Sequence, residues 1–102
     1  MIDLNKLAEA LTGISKAREQ NGAVGLHCDT MSLLKHTATE VVEATEAWVS
    51  NGAASMQFKC ELADIIVCVL IIAHLEHVDI ESALHVVYEK NKKRAEGTGD
   101  KK

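Results

Sequence analysis

The sequence predicts an all-α protein, a four-helix bundle that oligomerises through its helices. Three observations carry that reading. The 102 residues include no proline, 6 glycines and 3 % aromatics, a composition that favours helix over sheet. Apolar residues recur at helical spacing along most of the chain. Turn and capping residues divide it into four stretches.

The first helix spans about Asp3 to Glu19, with Leu4, Leu7, Ala8, Leu11 and Ile14 on one stripe. A looser segment, QNGAVGLHCDT, follows, carrying two glycines and an Asp/Thr start signal at its end. The second helix runs from about Thr30 to Ser50, where NGAAS terminates it. The third occupies about Met56 to His77 with Ser55 as N-cap. Asp79 caps the fourth, which ends near Glu96. Residues 1–96 therefore read as a single helical domain, and 97–102, GTGDKK, as a polar disordered tail.

Short links between helices two, three and four predict antiparallel neighbours. Helix three is apolar almost all round, which places it at the bundle's centre. A chain of 102 residues has little material to cover such a helix. A homodimer or homotetramer is expected, with helix one as the alternative cover.

Several function classes drop out. The formal net charge is −4 and no basic surface is evident, so nucleic acid is not an expected partner. The apolar run Ile65–Ala73 falls well short of the roughly 20 residues a membrane span needs. The opening MIDLNKLAEALTGISK alternates apolar and polar residues and does not read as a signal peptide. Cys28, Cys60 and Cys68 are odd in number and lack zinc-ligand spacing, which suits reduced thiols in a cytoplasmic protein.

The chemistry lies in misplaced acids. At about 100° per residue, Glu40 falls on the apolar stripe of helix two among Leu33, Ala44 and Ala47. Glu43 sits at the edge of that stripe and Glu46 further toward the polar side. On helix three, Glu61 and Asp64 lead into Cys68, Ile72 and Leu75 on one face. Each helix thus aims an i, i+3 acidic pair inward, E-x-x-E and E-x-x-D. Antiparallel packing would converge the four carboxylates. Two like charges about 5 Å apart repel by roughly 3 kcal/mol at an effective dielectric of 20. Protonation, a basic partner or a divalent cation must offset this. An all-oxygen set suits a hard ion, Mg²⁺ first and Mn²⁺ second. Di-iron bundles use Glu-x-x-His, and neither pair here carries a histidine at the third following position.

The stretch TEVVEATEAW…ELADIIVCVL…EKNKKR, roughly Met31 to Arg94, resembles the MazG-like all-α nucleoside triphosphate pyrophosphohydrolases, whose signature is E-E-x-x-E followed after a gap by E-x-x-D. The resemblance implies a MazG-like bundle in which Glu40, Glu43, Glu61 and Asp64 are the catalytic metal ligands, holding Mg²⁺ that carries a nucleoside triphosphate. It implies hydrolysis between the α- and β-phosphates, releasing a monophosphate and pyrophosphate, in a nucleotide-pool housecleaning role. By the same resemblance Asn91, with Lys90 and Arg94, contacts the substrate; a cation-rich helix C-terminus favoured by the helix dipole is the competing reading. Two positions depart from the pattern: Thr39 replaces the first Glu, and Val87 stands where many members carry Lys. In-family alternatives act on dUTP, dCTP or phosphoribosyl-ATP. The out-of-class alternative is a non-catalytic helical interaction module with a structural acidic or metal site.

Other candidates are weaker. His74 and His77 at i, i+3 could bind a transition metal but sit at a helix end, where solvation is the expected state. His27 beside Cys28 lacks further ligands. His36, one turn before Glu40, is read as packing or solvated, with reach to the acids as the alternative. Trp48 and Tyr88 could stack on a base but fall at core spacing, so core packing is expected. There is no nucleophilic triad and no phosphate-cradling glycine loop.

Overall fold

The computed structural model describes residues 2–23 and 27–97. The described chain is four α-helices without strands: α1 Leu4–Gln20, α2 Thr30–Asn51, α3 Met56–Leu75 and α4 Ile80–Ala95. The middle of the loose segment after α1 lies outside the described residues. So does the tail assigned to 97–102, except Gly97.

All four helices start at a side-chain cap. Asp3, Asp29, Ser55 and Asp79 accept hydrogen bonds from the backbone N–H of Lys6, Ser32, Phe58 and Ser82. Each pairing satisfies an amide that the helix itself leaves unbonded. The exits differ. At the end of α2, Gly52 takes φ 82°, a conformation glycine adopts without strain. At the end of α3 the same job falls to His77, at φ 58°, while the Val78 N–H closes onto the Ala73 carbonyl at 2.8 Å. That tight exit ends α3 at Leu75, two residues before the expected His77.

The helix α3 packs against α2 on one side and α1 on the other. Leu33, Cys68 and Ile71 form the buried centre, with Leu11, Val67, Ile72 and Leu75 packed around it. Small residues line the closest approaches: Ala8, Thr12 and Ser15 on α1, Ala44 and Ala47 on α2, Ala73 on α3. The Thr12 hydroxyl donates to the Ala8 carbonyl at 2.7 Å, so its burial leaves no polar orphan. The first helix does cover part of α3.

The expectation for α4 needs correction. Its main packing is with α1, and none of its residues is buried. The two helices meet at their N-termini. The Leu4 N–H donates to Glu81 Oε1 at 2.7 Å, Asn5 Nδ2 donates to Asp79 Oδ1 at 3.0 Å, and the Ile80 N–H donates to Asn5 Oδ1 at 3.1 Å. These polar clamps, with the His77 turn, direct α4 away from α3. Core placement of Trp48 and Tyr88 is also overturned, since they are 55 % and 60 % exposed. Helical spacing put them on apolar faces correctly, but the described residues of one chain leave those faces largely uncovered. The radius of gyration is 16.2 Å, against about 13 Å for a compact chain of this length. No helix among the described residues is long and apolar enough to cross a membrane.

Candidate functional site

The acids converge where α2 crosses α3. Glu40 shares its stripe with Leu33, Ala44 and Ala47, all buried, and is itself only 7 % exposed. Helical rise carries Glu43 to the rim of that contact, where it is exposed. From α3, Glu61 reaches in half-buried. Glu40, Glu43 and Glu61 each bring an oxygen within 4.8 Å of the other two. The alanines on α2 make this approach possible, because larger side chains would hold the helices apart.

Electrostatics mark the same spot. Glu61 Oε2 is buried and has no hydrogen-bond partner. The Glu61 carboxyl is held above the usual carboxylate range. The chief cause is a hydrogen bond shared with Glu40, followed by loss of water and the like charges of Glu40 and Asp64; Glu43 acts in the opposite direction. The orphan oxygen and the shared bond are two protonation states of one arrangement. A proton between Glu40 and Glu61 makes the bond, whereas with both ionised neither can donate. A cation is the other way to satisfy these oxygens.

Asp64 stands apart from the trio. It is exposed and lines an adjoining cleft of about 360 Å³ together with Glu40. Its charge still helps raise Glu61 and the Cys68 thiol, which burial raises most. The structure therefore unites three of the four predicted carboxylates and sets the fourth at the mouth.

His36 reaches the acids, against the packing or solvated reading: its Nε2 lies 2.8 Å from Glu40 Oε1. The cleft also receives Arg18 from α1, which sequence reasoning did not select. A signal existed, since Leu11, Ser15 and Arg18 recur at four and three residues and continue the packed face of α1. Asn91, Lys90 and Arg94 are all exposed on α4 and do not line this cleft, so one chain does not bring them to the carboxylates. Thr39 is exposed and donates back to the Lys35 carbonyl at 3.3 Å, away from any ligand role within this chain. His74 and His77 border a separate depression beside Asn5 and Asp79. His27 lies 3.9 Å from Glu19. The three cysteines are free thiols.

The trio offers oxygen donors only, at a spacing a small cation could draw together, and one donor is otherwise unsatisfied. Mg²⁺ demands about 2.0–2.1 Å to each of six oxygens and keeps several waters, so three carboxylates with an open, wet rim fit it. No curated protein and no solved structure matches the chain. The family model of the MazG nucleotide pyrophosphohydrolase domain matches residues 29–98, most of the chain and all of α2, α3 and α4. The chain belongs to the MazG nucleotide pyrophosphohydrolase family.

Proposed function

We propose that this protein is a Mg²⁺-dependent nucleotide pyrophosphohydrolase that converts (deoxy)nucleoside triphosphates and water to the monophosphate and pyrophosphate, clearing unwanted nucleotides from the pool. One observation carries the reading: a buried, unpartnered Glu61 oxygen faces Glu40 and Glu43 in a chain of this family. Glu40, Glu43 and Glu61 would hold the ion, with Asp64 completing the set from the cleft mouth. A bound divalent ion supplies charge neutralisation for the triphosphate and lowers the pKa of a bound water. Arg18 and His36 stand on the cleft wall, where the substrate's phosphates would enter. A carboxylate not used for the metal would take the proton from the attacking water.

The reading includes a second copy. Trp48, Leu62, Ile66 and Tyr88 are all exposed and apolar or aromatic, and α4 carries Asn91, Lys90 and Arg94 clear of its own cleft. A homodimer or homotetramer would cover the first group and could bring the second to a neighbour's cleft. Light scattering on the purified protein tests this directly, and a monomer at assay concentration would refute it.

For activity, the protein is incubated with a panel of NTPs and dNTPs plus Mg²⁺, and pyrophosphate is measured. Release above a Glu61→Ala control is expected. If no nucleotide yields it, the protein is instead a helical interaction module with a structural acidic site. The Thr39 substitution favours that second reading, because it removes one acid from the family's pattern.

A further inference from the structure

We infer that His36, Glu40 and Cys68 form a second cation site, selective for a transition ion such as Zn²⁺, which shares Glu40 with the acidic trio. One ligand atom from each of the three side chains lies within 4.8 Å of the other two. His36 and Glu40 are one helical turn apart on α2, with Nε2 and Oε1 at 2.8 Å. Cys68 meets them from α3.

The donor set decides the class of ion. Imidazole, carboxylate and thiolate together match Zn²⁺, which takes N, O and S ligands, while a hard Mg²⁺ does not use the sulfur. Tetrahedral Zn²⁺ with bonds of about 2.0–2.3 Å places its ligand atoms roughly 3.2–3.6 Å apart. Side-chain rotation would bring the three ligand atoms, all within 4.8 Å of one another, to this spacing, opening the 2.8 Å His36–Glu40 pair slightly. The fourth position opens into the 360 Å³ cleft, which all three residues and Asp64 line. Water or the Asp64 carboxylate can fill it. His36 is exposed, which gives an ion its entry, and Cys68 at 6 % exposure forms the inner wall.

Each residue alone has an ordinary explanation. His36 and Glu40 could be a helix-surface pair, and Cys68 a small core residue. Their meeting on one cleft wall is what those explanations leave unaccounted for. Ion binding here does not depend on the hydrolase reading. Its consequence does: an ion held by His36 and Cys68 engages Glu40 and so competes with Mg²⁺ in the trio.

Cobalt is the probe, because a thiolate bound to Co²⁺ gives a near-ultraviolet charge-transfer band that carboxylates and imidazole do not. The reduced Cys28→Ser/Cys60→Ser protein, in which Cys68 is the remaining thiol, is titrated with Co²⁺. A band saturating at one ion per chain and erased by Zn²⁺ is expected. Its absence overturns the site. In Cys68→Ser the band should vanish, and a band of undiminished intensity overturns the assignment. His36→Gln changes an exposed residue and keeps the decision available if Cys68→Ser does not fold. It should weaken Co²⁺ binding by at least the ~10–100-fold that even outer-sphere partners are worth; unchanged affinity refutes the site. The hydrolase reading can fail with the band intact, and the band can fail with hydrolysis intact.

Discussion

Replacing Glu40 with Gln should act in opposite directions on the metal-free and metal-bound protein. The amide keeps the shape of the side chain and removes one charge from a trio whose oxygens lie within 4.8 Å of one another. Without metal, the variant loses repulsion, and its amide can donate to the orphan Glu61 Oε2. Its melting temperature should match or exceed that of the wild type. With Mg²⁺ the order reverses. A ligand that binds only the folded state stabilises it by RT ln(1 + [L]/Kd), about 1.4 kcal/mol for each tenfold rise in concentration above Kd. For a chain of about 100 residues, 1 kcal/mol moves the melting temperature by about 4–8 °C, so each decade should add roughly 6–11 °C. In Glu40→Gln that slope should largely disappear over the same concentrations. The assay is thermal unfolding followed by circular dichroism, at fixed protein concentration and ionic strength, because surface charges are screened by salt. Equal slopes in the two proteins would refute the three-carboxylate site. A clear drop in the variant's metal-free melting temperature would show that Glu40 is a structural acid, held in place for its contact with His36.

Four further outcomes test the same structure. The folded chain holds the Glu61 carboxyl above its ordinary 4.5, so between that value and the raised one it keeps a proton that the unfolded chain has lost. This stabilisation is complete below the ordinary value and disappears as pH rises through the raised one; urea unfolding without metal should show the wild type losing ground to Glu61→Gln as pH increases, and Mg²⁺ should reverse that trend. The Asp29 and Asp79 carboxyls are lowered from 3.8 by their cap hydrogen bonds, and for Asp79 first by Asn5, so their stabilisation is lost in more acid solution, as pH falls through the lowered values. Leu33→Ala empties part of a core position 4 % exposed but beside an open cleft that can relax, so the cost should be in the lower part of the usual range, about 2–3 kcal/mol, read as a shift of the urea midpoint with an unchanged m-value. Ser55→Ala removes the oxygen that accepts from the Phe58 N–H at 3.1 Å and should cost about 1 kcal/mol by the same measurement.

The helices and their starts were legible because they depend on neighbours in sequence. Asp3, Asp29, Ser55 and Asp79 each serve an amide three residues on, and that relation survives whatever the tertiary fold. The buried placement of Glu40 was legible for a related reason: its stripe, Leu33 to Ala47, is a property of one helix. What did not follow from sequence depends on how far a helix travels after a turn. The exit of α3 through His77 and the polar contacts of Asn5 turn α4 toward α1, and no hydrophobic period encodes that angle. The same ignorance of neighbours misplaced Trp48 and Tyr88. Period identifies an apolar face, but only the packed structure says whether anything in the same chain covers it.

Asp64 separates these two kinds of information at the site itself. Its spacing from Glu61 is right for a shared face, yet the structure leaves it exposed at the cleft mouth while Glu61 turns into the helix contact. Position along α3 explains the difference. Glu61 lies opposite Glu40 and Glu43, where Ala44 and Ala47 let α2 come close, whereas Asp64 lies one turn on, where the cleft separates the elements. The charge of Asp64 nevertheless still acts on Glu61. An acid placed there adds to the attraction for a cation without adding to the crowding inside. With Glu40 buried, Glu61 half-buried and Glu43 and Asp64 exposed, an ion held as proposed would keep coordination positions open to water and phosphate. A lysine in place of Asp64 would offset part of the negative charge of Glu40, Glu43 and Glu61 within the folded chain. It should raise the metal-free melting temperature and shrink the rise that Mg²⁺ produces, and an undiminished Mg²⁺ response would refute this role for Asp64.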